Sequence, residues 1–408
     1  MKRVNTEQLA HVLADLPKNP RVVASGNFAA PHTLLRVLDE QISEYRLHML
    51  NAQKGIPDRE GVTYETCFVG PGMRRSPRLS YVPSRLSLVP ALYRDVLRPD
   101  LVLLHTSAPR YDTVSLGIEV NVLPAAIEVA REYGAPVIAQ ANPNMPYTYG
   151  DAQIYDHEID FLVEVDEPVA THDVTDPSPV HREIGERIAA LISDGSTLQL
   201  GIGGVPDAVL QRLGARKGLR IWTEMFSDGV LALDRAGNLD PDVPLTASFL
   251  FGSQELYDFV DRNRRVRMLR TETTNDPGRI ARQRQLTSIN GALQVDLFDQ
   301  ANASRINGCI FSGIGGSADF VVGALHSRGG ASFMALPSWH PKADVSTIIP
   351  RLEEPVTTVQ HSYVATEQGI APVVGLNQSE QARSIIDGAA HPDARDMLRE
   401  AAAQMGLV

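Results

Sequence analysis

Cysteine is nearly absent from this chain: Cys67 and Cys309 are its only two in 408 residues. Two cysteines build neither a disulfide framework nor a cysteine-based zinc site. No HExxH or comparable cluster occurs among the 11 histidines, so no metal is expected. Long hydrophobic runs are missing too, and none would span a bilayer. The first residues, Met1-Lys2-Arg3-Val4-Asn5-Thr6-Glu7, lead into a polar helix and lack the apolar core of a signal peptide. The expectation is a cytoplasmic protein without a membrane partner. Positive charge is in deficit, with a formal net charge of -11. Such a surface repels phosphate backbones and argues against nucleic acid, although a local basic pocket is still allowed.

What is present is ordinary for a globular protein, with 43% hydrophobic and 21% charged residues. The length suits two domains, each with its own core. Short apolar runs at 21–25, 101–105, 136–140 and 161–165 read as strands, and amphipathic stretches at 31–40 and 123–133 read as helices. Strands separated by helices argue for an α/β fold with largely parallel sheets. Residues 166–179, rich in Pro, Asp and Thr, carry no hydrophobic period and read as a linker. The expected domains are therefore 1–170 and 180–408, the second opening with a helix at 181–193 and a strand at 197–200. Both share a signature. Ser25-Gly26 is followed by Pro31 and then Leu34, Leu35 and Leu38; Gly201-Ile202-Gly203 is followed by Pro206 and then Val209, Leu210 and Leu213. In each, a strand meets a glycine turn, proline starts a helix, and three apolar residues share a helix face. This suggests a pseudo-duplicated pair.

Several segments carry chemistry-bearing residues. Glu272 is the lone acid in Thr271-Glu272-Thr273-Thr274-Asn275-Asp276-Pro277, a loop that follows the apolar run 266–269. A glutamate in a loop is ordinarily a solvated charge. Here Phe249-Leu250-Phe251-Gly252-Ser253 precedes it, and Gly313-Ile314-Gly315-Gly316 and Thr366-Glu367-Gln368-Gly369 follow. That order suits a carboxylate attacking a thioester while backbone amides hold the oxyanion. The two acids of Trp222-Thr223-Glu224-Met225-Phe226-Ser227-Asp228-Gly229 could do acid–base work, but helix capping or domain bridging is the favoured reading. Gly201 to Pro206 could bind an anion at a helix start. It is no dinucleotide fingerprint, because Pro206 stands where the last glycine should be.

The motifs together resemble the acetyl-CoA hydrolase/CoA-transferase family, particularly its 4-hydroxybutyrate and butyrate CoA-transferase branch. The likeness runs from the segment at 68–74 (FVGPGMR) to His391-Pro392-Asp393. It is strongest at 223–229 (TEMFSDG), 251–259 (FGSQELYDF), 288–297 (SINGALQVDL) and 313–316 (GIGG). The resemblance implies two related α/β domains of the CoA-transferase (NagB/RpiA) type. It implies a catalytic glutamate, which falls on Glu272 in the second domain. It also implies CoA contacts at Phe249, Leu250, Phe251, Gly252, Ser253 and Gly369, with Gly313, Gly315, Gly316, Gly323 and Gln368 lining the oxyanion and substrate pocket. Relatives often carry an aromatic residue at Gln368 and an arginine at Val322, and Arg110-Tyr111 replaces a more acidic stretch. Val322, Gly323, Trp339 and Gln368 are accordingly the positions expected to choose the acid.

The implied reaction moves CoA from a short-chain acyl-CoA to a carboxylic acid through a glutamyl-CoA thioester, with ping-pong kinetics. Coenzyme A is then a substrate, no cofactor is bound permanently, and a homodimer is expected. Acyl-CoA hydrolysis at the same site is the nearest alternative. A non-catalytic acyl-CoA sensor and a nicotinamide-dependent dehydrogenase are more distant ones.

Overall fold

Two parallel sheets organise the chain. The computed structural model describes residues 1–172, 175–201 and 203–407; Ile202 of the glycine turn and residues 173–174 of the expected linker lie outside them. The chain divides into two units. The first holds Met1–Asp173, Thr246–Thr274 and Ile310–Gly315; the second holds Val174–Leu245, Asn275–Cys309 and Gly316–Val408. The segment bearing Glu272 thus folds with the first unit, although it lies well beyond residue 170 in sequence.

The first unit is built on β1 (Lys2–Arg3), β2 (Arg21–Ala24), β3 (Tyr45–His48), β4 (Val62–Thr66), β5 (Leu79–Tyr81), β6 (Leu101–Ser107), β7 (Val137–Asn142) and β8 (Phe161–Glu164). Their order across the sheet is β1-β8-β7-β6-β2-β3-β4-β5. Every pairing is parallel, as in Val102↔Val137 and Val23↔His48. Strands β6 and β7 are buried along their whole length, the mark of a parallel sheet covered on both faces. Helix His32–Gln41 buries Leu34, Leu35 and Leu38 as expected. Helix Leu123–Tyr133 ends where Gly134 turns left-handed, at φ 74°.

One buried ion cluster crosses this sheet. Glu65 of β4 accepts from Arg21 Nε of β2 at 2.8 Å and meets His48 Nδ1 of β3 at 3.0 Å. Burial pushes the Glu65 carboxyl up, but His48 and Arg21 outweigh it and bring its pKa down to about 2. The stretch 166–172 is no free linker. Asn142 Nδ2 donates to Glu167 O at 2.8 Å, Thr33 Oγ1 donates to the Glu167 carboxylate, and His172 N donates to Gly252 O at 2.9 Å. Its composition suits irregular backbone, and side chains of the first unit pin that backbone down.

The second unit is built on β9 (Thr197–Leu200), β10 (Arg220–Ile221), β11 (Leu286–Gly291), β12 (Ala331–Ala335), β13 (Tyr363–Ala365) and β14 (Ile370–Pro372). The order is β10-β9-β11-β12-β13-β14, parallel throughout except for the antiparallel edge strand β14. Helix Pro179–Leu191, capped by Ser178, begins two residues before the expected start. The repeated proline signature holds only in part. Pro31 immediately precedes its helix, whereas the second helix, Gly204–Arg212, begins two residues before Pro206. Gly203, at φ 123°, supplies the entry turn, and a proline is tolerated within the first helical turn. Among the described residues no helix is long and apolar enough to cross a membrane.

Candidate functional site

Open parallel sheets collect functional groups beyond the carboxyl ends of their strands. In the second unit that edge carries Glu224, just after β10. Thr223 fixes the position: its buried hydroxyl accepts from Leu200 N at 3.2 Å and donates to Met225 O at 2.9 Å. The Glu224 carboxylate accepts from Asn275 Nδ2 at 2.8 Å. Gly316 closes over the same atoms, since a Cβ there would lie 1.8 Å from Glu224 Oε2 and 2.3 Å from Asn275 Nδ2. The residue keeps part of its surface accessible, yet protein crowds the carboxyl closely enough to desolvate it. That desolvation pushes its pKa up to about 7; the Asn275 bond opposes the rise and nearby Asp319 adds to it. A carboxylate stripped of water but still reachable suits nucleophilic attack. Asp228 instead opens helix Asp228–Arg235, where an acid complements the helix dipole.

A second acid stands at the end of β13. Glu367 accepts from Ser338 N at 2.9 Å, from the Ser338 hydroxyl, and from Gln368 Nε2 at 3.2 Å. Gln368 is thereby oriented by its neighbours. Gly369 sits in the turn back to β14: its carbonyl accepts from Thr366 N at 2.9 Å, and a Cβ would stand 2.5 Å from Gly388 O. Gly323 lies inside helix Ser317–His326, where a Cβ would fall 2.3 Å from Ile280 Cγ2. Helix packing therefore accounts for this glycine without a substrate. Trp339 packs on His391, with ring centroids 4.8 Å apart, and its Nε1 donates to Asp344.

The remaining expected residues lie in the first unit. Glu272 sits in a single helical turn, Thr271–Thr274, rather than a loop. Its Oε1 accepts from Arg270 Nη2 at 2.6 Å and Nε at 3.0 Å, while the same guanidinium holds Glu128. Its charge is thus committed to a partly exposed ion-pair network. Phe249 and Leu250 are buried, and the Phe251 ring centroid lies 4.4 Å from those of Phe28, on which it stacks, and His172, to which it is tilted. Ser253 caps helix Gln254–Val260 by accepting from Leu256 N. Gly313 and Gly315 lie against the loop after β4. A Cβ on Gly313 would meet Cys67 O at 2.6 Å, and Gly315, at φ 63°, faces the Phe68 ring.

The structure thus sets Gly316 against Glu224, places Gln368 and Gly369 after β13 of the same unit, and holds Glu272, Phe249 to Ser253, Gly313 and Gly315 in the first unit. Sequence reasoning passed over Asn275, Asp319 and Ser338. A signal for Asn275 was present, since it opens the Asn-Asp-Pro turn. Its amide donates to the Glu224 carboxylate.

Comparisons with known proteins agree on one kinship. The profile described as "Acetyl-CoA hydrolase/transferase C-terminal domain" matches residues 252–402. A 4-hydroxybutyrate coenzyme A transferase of Clostridium kluyveri is 36% identical over 410 residues, covering 95% of this chain and 94% of that one. The crystal structure of RipA from Yersinia pestis is similar with a TM-score of 0.92 at 30% identity, covering 100% of this chain and 98% of that one. A 4-hydroxybutyrate CoA-transferase from Porphyromonas gingivalis gives 0.82 at 30% identity, covering 99% and 98%.

Proposed function

Because the chain belongs to the acetyl-CoA hydrolase/transferase family, we propose that it moves coenzyme A from a short-chain acyl-CoA to a carboxylic acid, with Glu224 as the nucleophile. The observation that carries this reading is the Glu224 carboxyl, poised near pKa 7 between the Asn275 amide and the bare backbone of Gly316. Glu272, the nucleophile expected from sequence, is neutralised by Arg270 and is the weaker candidate.

The ionised Glu224 attacks the thioester carbonyl, and collapse of the adduct expels the CoA thiolate and leaves an acyl–glutamyl anhydride. The thiolate then attacks the glutamyl carbonyl, releasing the first acid as its carboxylate and forming glutamyl-CoA. A second carboxylate reverses both steps. A desolvated carboxylate is more basic than a hydrated one and attacks more readily, since no water shell has to be shed. Asn275 stays within hydrogen-bond reach of the reacting oxygens, and the absent side chain at Gly316 leaves backbone free to approach them. One such oxyanion donor is worth roughly 3 kcal/mol in comparable sites.

The test is intact-protein mass and peptide mapping after incubation with butyryl-CoA and no acceptor. The expected result is a CoA-sized adduct on the Glu224 peptide that acetate discharges and that is absent in Glu224→Gln. An adduct on the Glu272 peptide would overturn the assignment. Steady thiol release without an adduct would favour hydrolysis, and binding without turnover across several acyl-CoAs would favour a sensor. Cytoplasmic location and a homodimer belong to the same reading as expectations.

A further inference from the structure

A second carboxyl acts on Glu224 and has no part in these steps. Asp319 lies in the first turn of helix Ser317–His326 and is 1% exposed. Its N–H donates to Gly316 O at 3.1 Å, and Gly316 is the residue whose backbone lies against the Glu224 carboxyl. Packing fixes this helix, because the next residue, Phe320, is fully buried in a cluster with Ile280 and Leu286. Ile280 ends helix Pro277–Ile280, which follows Asn275 in the chain. Two packed elements thus bring opposite influences to one carboxylate. The Asn275 amide donates to it at 2.8 Å, and Asp319 acts on it through its charge.

The other charged groups of the neighbouring elements are engaged elsewhere. Asp276 caps helix Pro277–Ile280, and Arg279 of that helix is exposed. Asp207 accepts from Ser227 Oγ at 3.3 Å, Asp228 opens helix Asp228–Arg235, and His326 stands in the last turn of the Asp319 helix. Of the two acids, Asp319 ionises first. An acid in a first helical turn is stabilised as its anion, whereas burial pushes Glu224 up to about 7. Above that pH both are anions in a desolvated setting, and like charges there repel.

We propose that Asp319 is a positioning residue of the transfer reaction: its charge destabilises the ionised Glu224 of the free enzyme and so drives it toward the uncharged glutamyl-CoA thioester. The proposal rests on the reading of Glu224 as the nucleophile. Over the two covalent steps the acyl C–S bond breaks and a glutamyl C–S bond forms. One Glu224 oxygen leaves with the first acid, as its carboxylate, and the negative charge passes from the site to water. Protonation of Glu224 relieves the same repulsion. One coupling therefore shows itself twice, in the pH at which Glu224 titrates and in the constant for glutamyl-CoA formation. The two move together, one pH unit corresponding to a factor of about ten.

The test compares wild type with Asp319→Asn in two readouts. One is the titration midpoint of the Glu224 carboxyl, followed by NMR in protein carrying carbon-labelled glutamate, with the resonance identified by its loss in Glu224→Gln. The other is the glutamyl-CoA fraction by intact mass, after mixing with butyryl-CoA and butanoate in a fixed ratio at pH 8.5, where Glu224 is ionised in both proteins. In Asp319→Asn the midpoint should fall by about half a pH unit or more, and the formation constant by the matching factor, about threefold or more. Asp319→Glu, which restores the charge, should return both toward wild type, and Asp319→Ser carries the comparison if the asparagine variant does not fold. An unmoved midpoint overturns the proposal, and so does a midpoint that moves while the formation constant stays. A purely structural Asp319 would lower kcat or stability without moving the two readouts in step. If the wild type forms no Glu224 adduct, the transfer reading fails while the midpoint still decides the coupling. An adduct with both quantities unchanged in the neutral variant defeats the Asp319 assignment alone.

Discussion

Two glutamates show how surroundings divide one side chain into two roles. Glu272 is paired with a guanidinium that also serves Glu128, so its negative charge is compensated and partly solvated. Glu224 has an amide donor and little water, and desolvation lifts its pKa to about 7. Only the ionised form attacks, so turnover under subsaturating acyl-CoA should fall as pH drops through 7. The same shift bears on stability, and its sign is fixed by linkage. With a folded pKa above the ordinary 4.5, the native state binds more protons than the unfolded state between those values, so stability is lost as pH rises through 7. Glu224→Gln removes this term. Its melting temperature should therefore gain on the wild type from pH 5 to pH 8, and parallel melting profiles would contradict the assigned burial.

At the scale of elements, two glycines in one short stretch separate site from scaffold. Gly316 precedes helix Ser317–His326 and lies against the Glu224 carboxyl, whereas Gly323 lies within that helix and packs on Ile280. Gly316→Ala places a methyl where Glu224 Oε2 and Asn275 Nδ2 already stand, so it should cut kcat by orders of magnitude and cost modest stability. Gly323→Ala overpacks a helix contact and should cost roughly 1–3 kcal/mol in denaturant melts while leaving the KM for the acid unchanged. A raised acid KM in Gly323→Ala would return Gly323 to the substrate pocket. The Asn275-Asp276-Pro277 turn shows the same division. Asn275 reaches Glu224, while Asp276 caps helix Pro277–Ile280 by accepting from Gly278 N and Arg279 N.

For the whole molecule, the chain order and the unit order differ. Residues 246–274 return to the first unit, where Arg267 and Met268 pair with Tyr149 and Gly150, and Leu250 N donates to Ile118 O. Buried Leu250, Val266 and Met268 belong to that core as well. A fragment ending at residue 173 therefore lacks part of its own interior. It should bind a hydrophobic dye and unfold without a cooperative transition. A sharp melt from that fragment would show that the returning segment is dispensable.

Much was legible in the sequence because it depends on local pattern. Alternating apolar runs and amphipathic stretches determined two parallel α/β sheets, and helix Leu123–Tyr133 fell where its periodicity put it. The glycine-rich motifs carried the family resemblance. Local pattern could not say which acid meets which turn. Glu224 and Asn275 are 51 positions apart and meet only when β10 and the start of helix Pro277–Ile280 are in place. Glu272 looked unpaired in sequence because the Arg270 that neutralises it is two residues away, and only side-chain conformation turns that proximity into an ion pair. Nucleophilicity depends on desolvation and on the neighbours of a single carboxyl, and tertiary packing alone sets both.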